Sequence, residues 1–225
     1  MRCRQCNQRL LSHYALNRLV DGRPLDPVTL CESCQALFDR IATRPCCPDC
    51  GRAVGPERCR DCVRWFTMGV ESLHNRAFFT YNDAMKAWME QYKGMGDYRM
   101  RDAFLPEVNQ LRRLRGFAFV PLTTEPGHFD KRGFDPVVGL FDALPLQLWL
   151  RKQNTEMPQA KKNRAARLKT PQSFQVVAAP NEMNRFKQIC LLDDLYTTGR
   201  TLHHAAAAIR AAGYSGRVIS RSLIR

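Results

Sequence analysis

Beyond residue 62 the sequence contains a single cysteine, Cys190, and nowhere does it hold an apolar run long enough to cross a bilayer. The first absence rules out a disulfide framework for the larger part of the chain, and the second leaves no membrane-inserted segment. The opening residues, Met1-Arg2-Cys3-Arg4, lack an apolar core followed by a small-residue cleavage site, so the chain is expected to remain in the cytoplasm. Internal repeats are missing apart from recurring cysteine pairs, as is any low-complexity linker. Acidic residues are scarce too: 21 Asp and Glu stand against 35 Lys and Arg, a net charge of +14 with a pI near 9.7. Such a field attracts polyanions, nucleic acid among them, while saying nothing of fold.

What is present is concentrated. Nine of the ten cysteines fall within residues 1–62, and eight form pairs with two residues between them: Cys3 and Cys6, Cys31 and Cys34, Cys47 and Cys50, Cys59 and Cys62. Two thiolates at this spacing reach one ion from a tight turn, and two such turns complete a tetrahedral sulfur site, so four pairs suit two structural zinc ions. Disulfides suit a cytosolic chain poorly, and a redox-active CxxC is not expected four times in so short a stretch. Pairing the first two turns and the last two is simplest, although crossed pairing is open, and Cys46 adjoins Cys47 without the knuckle spacing. The change in cysteine content divides the chain into residues 1–64, a small zinc ribbon module for which metal binding would be a large part of the folding free energy, and residues 65–225. Eleven Lys and Arg and seven Asp and Glu lie in the first unit, leaving +10 on the second.

Past Trp65, strand-like and helix-like segments alternate. Residues 73–81 are aromatic and β-prone, Asp83 is placed to cap a helix through Met85, Trp88, Met89 and Tyr92, and a helix over 97–115 is divided or kinked by Pro106. Strands are expected at 117–122, 146–150, 188–192 and 218–223, with helices at 135–144 and 201–212. Strands separated by helices predict an α/β fold whose parallel sheet is covered on both faces.

The segment Ile189-Cys190-Leu191-Leu192-Asp193-Asp194-Leu195-Tyr196-Thr197-Thr198-Gly199-Arg200-Thr201-Leu202 carries the strongest chemistry. A buried strand delivers two carboxylates to its C-terminal end, and hydroxyl residues and a glycine then lead into a helix, the place where α/β sheets bind ligands. Backbone N–H groups of the Thr197–Thr201 turn and the helix dipole can hold a phosphate, with Gly199 allowing the sharp turn. The carboxylates suit ribose hydroxyls and, indirectly, magnesium. This string resembles the 5-phosphoribosyl-1-pyrophosphate (PRPP) loop of type I phosphoribosyltransferases, and the candidate ligand set is Asp193, Asp194, Tyr196, Thr197, Thr198, Gly199, Arg200 and Thr201.

With the cysteine module in front, the whole chain resembles the ComF (ComFC/GntX-like) family of competence-associated proteins. Lys93-Gly94-Met95-Gly96-Asp97 is similar to the family's K-Y-x-G-D segment, and Val120-Pro121-Leu122 with Lys131-Arg132-Gly133-Phe134 to its V-P-x-P and R-G-F region. Asp135-Pro136 stands where the family has Asn-Gln. Gln159 and Arg167 match a further pattern, whose following Asn is replaced by Thr170. The resemblance implies a double zinc ribbon fused to a phosphoribosyltransferase-type parallel sheet. It also implies a role with incoming single-stranded DNA in natural transformation, beside a competence helicase, with PRPP and magnesium as ligand. An active transferase, in which PRPP loses pyrophosphate to a nitrogen nucleophile, and a zinc-dependent adaptor with a degenerate transferase domain are the rival readings. No general base and no base-recognition residue stands out, so the acceptor is not legible. Residues 151–169 carry seven Lys and Arg against Glu156 alone, which suits a solvated face as well as a polyanion clamp. Candidate pyrophosphate or nucleic-acid contacts are Lys93, Lys131, Arg132, Lys161, Lys162, Arg164 and Arg167.

Overall fold

The run of apolar residues at 189–192 settles the architecture, because both faces of that strand are covered. A computed structural model describes residues 2–10, 27–41, 44–153 and 174–225. Among these, the strands are β1 (Arg76–Phe79), β2 (Phe117–Pro121), β3 (Leu150–Lys152), β4 (Phe174–Val176), β5 (Gln188–Leu195) and β6 (Arg217–Ile224). The helices are α1 (Glu32–Gln35), α2 (Arg60–Thr67), α3 (Asp83–Met89), α4 (Leu105–Gln110), α5 (Pro126–Arg132), α6 (Pro136–Leu140), α7 (Pro180–Met183) and α8 (Arg200–Ala211). Four strands make a sheet of order β1-β6-β5-β2 in which every pairing is parallel, while β3 and β4 form a separate antiparallel pair.

Side chains alternate across the sheet with the strand period of two. Phe119, Cys190, Leu192 and Ile219 join Met85, Trp88, Tyr92, Phe104 and Val108 in one core layer. Ala118, Val120, Ile189, Leu191 and Val218 face the other way, against Leu202, Ala205 and Ile209 of α8 and the cysteines at 47, 50, 59 and 62. A mixed α/β fold with a parallel sheet preceded by a cysteine-rich module is therefore what the chain adopts. The module also guards one edge of the sheet: Ile41 donates its N–H to Phe78 O at 2.9 Å and Thr80 donates to Asp39 O at 2.9 Å along β1. On β2 the free edge is met by Leu146, which bridges Phe119.

Several boundaries differ from the sequence expectation for local reasons. Asn82, not Asp83, caps α3, its side chain accepting from Met85 N–H at 2.9 Å; both residue types cap well, and the neighbour in extended conformation takes the role. The helix expected over 97–115 is a 3₁₀ turn, Tyr98–Phe104, running into α4 with Pro106 in its first turn, where the missing N–H costs nothing. The strand expected at 146–150 is displaced to β3, and β5 runs on through Leu195, so both aspartates lie inside a strand. Helix α5 and strand β4 were not anticipated, because neither shows a clear apolar period.

Phe104 lies at the junction of module and sheet, its ring centroid 5.0 Å from Phe38, 4.9 Å from Phe79 and 5.0 Å from Trp88. Phe104→Ala is expected to cost about 3–5 kcal/mol, read as a shifted midpoint in chemical unfolding, with loss exceeding that of any exposed aromatic such as Phe66.

Candidate phosphate site and cysteine tetrads

Strand β5 is hydrogen-bonded to β2 on one side and β6 on the other, and in a parallel sheet all C-terminal ends share one edge. Asp193 and Asp194 arrive there on opposite faces. Asp194 follows Cys190 and Leu192 onto the face covered by α3, where it is 4% exposed and paired with Lys93. Asp194 is therefore buried at the strand end and not presented to solvent. Lys93 reaches it because the chain winds as a π-helix over Glu90–Gly94 after α3. The wider turn sets buried Tyr92, whose hydroxyl donates to Pro136 O at 2.8 Å, beside Lys93. Arg132 donates through Nε to the Lys93 carbonyl at 2.7 Å, so two of the cationic candidates meet here. Lys131 is exposed, and Lys161, Lys162, Arg164 and Arg167 lie outside the described residues, as do Gln159 and Thr170.

Asp193 accepts from the Asp194 backbone N–H at 2.9 Å. Burial and the neighbouring Asp194 charge together push its carboxyl up to about 8, with Lys93 opposing. Asp194 is thus ion-paired with Lys93, while its neighbour Asp193 is pushed toward the protonated form.

Beyond Leu195 the chain turns through Tyr196–Gly199 into α8, the twelve-residue helix whose N-cap is Gly199 at φ +80°. A side chain here would be strained and blocked, since a Cβ on Gly199 would lie 2.1 Å from the Tyr196 hydroxyl. Tyr196 is buried beneath the turn, while Thr197 is exposed and Thr198, Arg200 and Thr201 are half-buried. Backbone and threonine hydroxyls, rather than the phenol, are what this turn offers to a ligand. Asp135 serves as a helix cap. Its carboxylate accepts from Val137 and Val138 N–H at 2.9 and 3.0 Å, and from Thr124 N–H at 2.6 Å. An Asp N-cap followed by Pro136 in the first turn is a strong helix start, which accounts physically for Asp-Pro at this place.

Eight cysteines gather into two tetrads, Cys3-Cys6-Cys31-Cys34 and Cys47-Cys50-Cys59-Cys62, with the sulfurs of each within 4.8 Å of one another. Sequential pairing is what the chain uses, and Cys46 belongs to neither. A tetrahedral zinc with Zn–S bonds of about 2.3 Å requires sulfurs about 3.8 Å apart. Cys6 and Cys31 stand at 3.7 Å, Cys50 and Cys59 at 3.6 Å, so either tetrad can hold zinc. Backbone N–H groups point at sulfur in both: Cys31 to Cys3 Sγ at 3.3 Å and Cys59 to Cys47 Sγ at 3.4 Å. The outer tetrad has Cys6 exposed, whereas all four cysteines of the inner tetrad are buried.

No family model matches the chain. Over 218 residues, 95% of each chain, it is 34% identical to the competence protein ComFC of Streptococcus pneumoniae. It is 32% identical to the Bacillus subtilis protein of the same name over 99% of this chain and 94% of that one. The chain belongs to the ComF family. Among the described residues of this ComF member no helix is long and apolar enough to cross a membrane. Two residues that sequence reasoning passed over shape the turn between β5 and α8. Trp65 donates Nε1–H to Thr198 O at 2.7 Å and packs on His203, and Arg225 donates to the carbonyls of Tyr196 and Thr197. Neither carries a spacing signal, because each acts across more than a hundred residues or a strand pair.

Purified protein is expected to hold two zinc ions by metal analysis. Chelator should remove them in two phases, the exposed tetrad first; a single ion, or a single phase, contradicts the burial difference. Asp193 supplies a pH test. With its carboxyl raised to about 8 in the fold and ordinary when unfolded, it contributes stability that is complete below pH ~4 and fades as pH rises toward 8. Asp193→Asn should remove that decline, so the variant's melting temperature gains on wild type across the same window.

Proposed function

We propose that this chain handles single-stranded DNA during natural transformation and binds a PRPP-type phosphoribosyl ligand in the turn between β5 and α8. The observation that carries the ligand half is the shared edge. Asp193, Asp194 and Lys93 gather where β5 ends, one short turn before the positive end of α8. A phosphate would take the backbone N–H groups and hydroxyls of Thr197–Thr201, and ribose hydroxyls would meet the aspartates. Lys93, held against Asp194, would lend its charge to the pyrophosphate. Magnesium would reach this place with the pyrophosphate, neutralising it beside the two carboxylates. The DNA half is supported by the +14 charge, and the competence role by the names of the relatives. A helicase of the competence apparatus is the partner this reading implies, and the cytoplasm the compartment. Transfer chemistry is the rival, in which the same residues act by positioning and by stabilising charge.

Calorimetric titration with PRPP or ribose 5-phosphate in magnesium separates these outcomes. Wild type should bind, Asp193→Ala should weaken binding by about tenfold through loss of a hydrogen bond to a ribose hydroxyl, and Gly199→Val should abolish it in a folded protein. A wild type that binds no phosphoribosyl ligand rejects the site. Pyrophosphate release in the presence of candidate acceptors would move the assignment to the transferase.

Single-stranded DNA should bind with little sequence preference, and its affinity should fall by roughly tenfold or more between about 50 and 200 mM salt as counterions are released. Binding that ignores salt would rule out the electrostatic basis.

A further inference from the structure

The inner tetrad and the phosphate turn are in direct contact, and the contact is polar as well as apolar. Three successive carbonyls of the turn are held from the tetrad's side. Arg225 donates through Nη1 to Tyr196 O at 3.1 Å and Thr197 O at 2.6 Å, and Trp65, three residues after Cys62 on α2, donates to Thr198 O at 2.7 Å. The other arm of the Arg225 guanidinium, Nη2, donates to Cys50 Sγ at 3.1 Å. The guanidinium lies over the Tyr196 ring, 4.6 Å from its carbon to the ring centroid, and the Arg225 backbone N–H donates to Phe79 O at 2.9 Å. One side chain therefore spans a thiolate ligand and the loop.

Four thiolates around a divalent ion carry a net charge of −2, and all four sulfurs of this tetrad come from buried residues. Such a charge in a low-dielectric setting requires hydrogen-bond donors and a nearby cation. Arg225 supplies both, and a fixed thiolate in turn fixes Arg225. We propose that Arg225 is a positioning residue that makes the conformation of the Tyr196–Gly199 turn depend on metal in the inner tetrad, so that the turn is ordered for its ligand only in the metal-loaded protein. The functional consequence rests on the turn being a ligand loop, as argued above; the coupling itself does not.

The test uses the whole metal-loaded chain. Amide hydrogen exchange over residues 196–202 is followed with residues 189–192 of β5 as the internal reference, in wild type, Arg225→Ala and Arg225→Lys. With metal bound, Arg225→Ala should speed exchange in the turn on the order of tenfold, as expected for losing hydrogen bonds to a charged donor, and leave the reference unchanged. Arg225→Lys, which keeps the charge but cannot fork, should recover only part of the protection. Removing the inner ion should speed the wild-type turn by a similar factor and change Arg225→Ala by less than about twofold. Because stripping metal can unfold the whole sheet, a second readout stands on loaded protein alone. With cadmium-113 in both tetrads, Arg225→Ala should move one of the two resonances and leave the other in place. Unchanged turn exchange in loaded Arg225→Ala, or a cadmium spectrum with neither resonance moved, overturns the proposal. Ribose 5-phosphate is then titrated into the same proteins, where Arg225→Ala should bind on the order of tenfold more weakly. If wild type fails to bind it, the phosphoribosyl reading falls while the exchange and cadmium results still decide the coupling.

Discussion

Two adjacent carboxylates at the end of a strand that is bonded on both sides form the electrostatic constraint around which this molecule is arranged. At an effective dielectric constant well below that of water they cannot both carry full charge without help. Lys93 answers one, and Asp193 answers by favouring its protonated form. Bringing Lys93 to the sheet edge requires the π-helical turn after α3. That turn in turn fixes Tyr92 against Pro136 and the Lys93 carbonyl against Arg132. The first half of the sheet-bearing domain is thus tied to the second through a charge that would otherwise be uncompensated.

The sequence disclosed most where a residue type admits few uses. CxxC pairs leave little beyond metal binding, and the tetrads form with the sequential pairing that their order suggested. The apolar run at 189–192 announced a strand buried on both faces, and the glycine after it announced a turn into a helix. Less was legible where structure depends on partners far along the chain. Nothing local marks Lys93 as the counter-ion of Asp194, or Arg225 as a clamp on Thr197, since both contacts are made by tertiary geometry. Short elements escaped for a related reason. Strand β4 has three residues and α5 buries none of its side chains, so neither leaves a period to detect.

Nor are the cysteine module and the sheet separable in packing. Phe38 meets Phe79 and Phe104 edge to face beside β1, the inner tetrad's cysteines lie in the same core layer as α8, and α2 carries the chain from one to the other. The inner tetrad is more than a local staple. Its cysteines form part of the floor on which the turn after β5 rests.

Strand β1 occupies one edge of the sheet and, among the described residues, has β6 as its strand neighbour, with Arg76 opposite Arg221 and Phe79 opposite Ile224. On a ribosome those partners emerge more than a hundred residues apart, so β1 must wait, without its strand neighbour, until that intervening length has been made. Shelter in the interval has to come from what is already synthesised. The segment at 39–41, running along the outer side of β1, is well placed to give it. A small module that closes early around metal would thereby act as an internal escort for a strand whose mate arrives so much later.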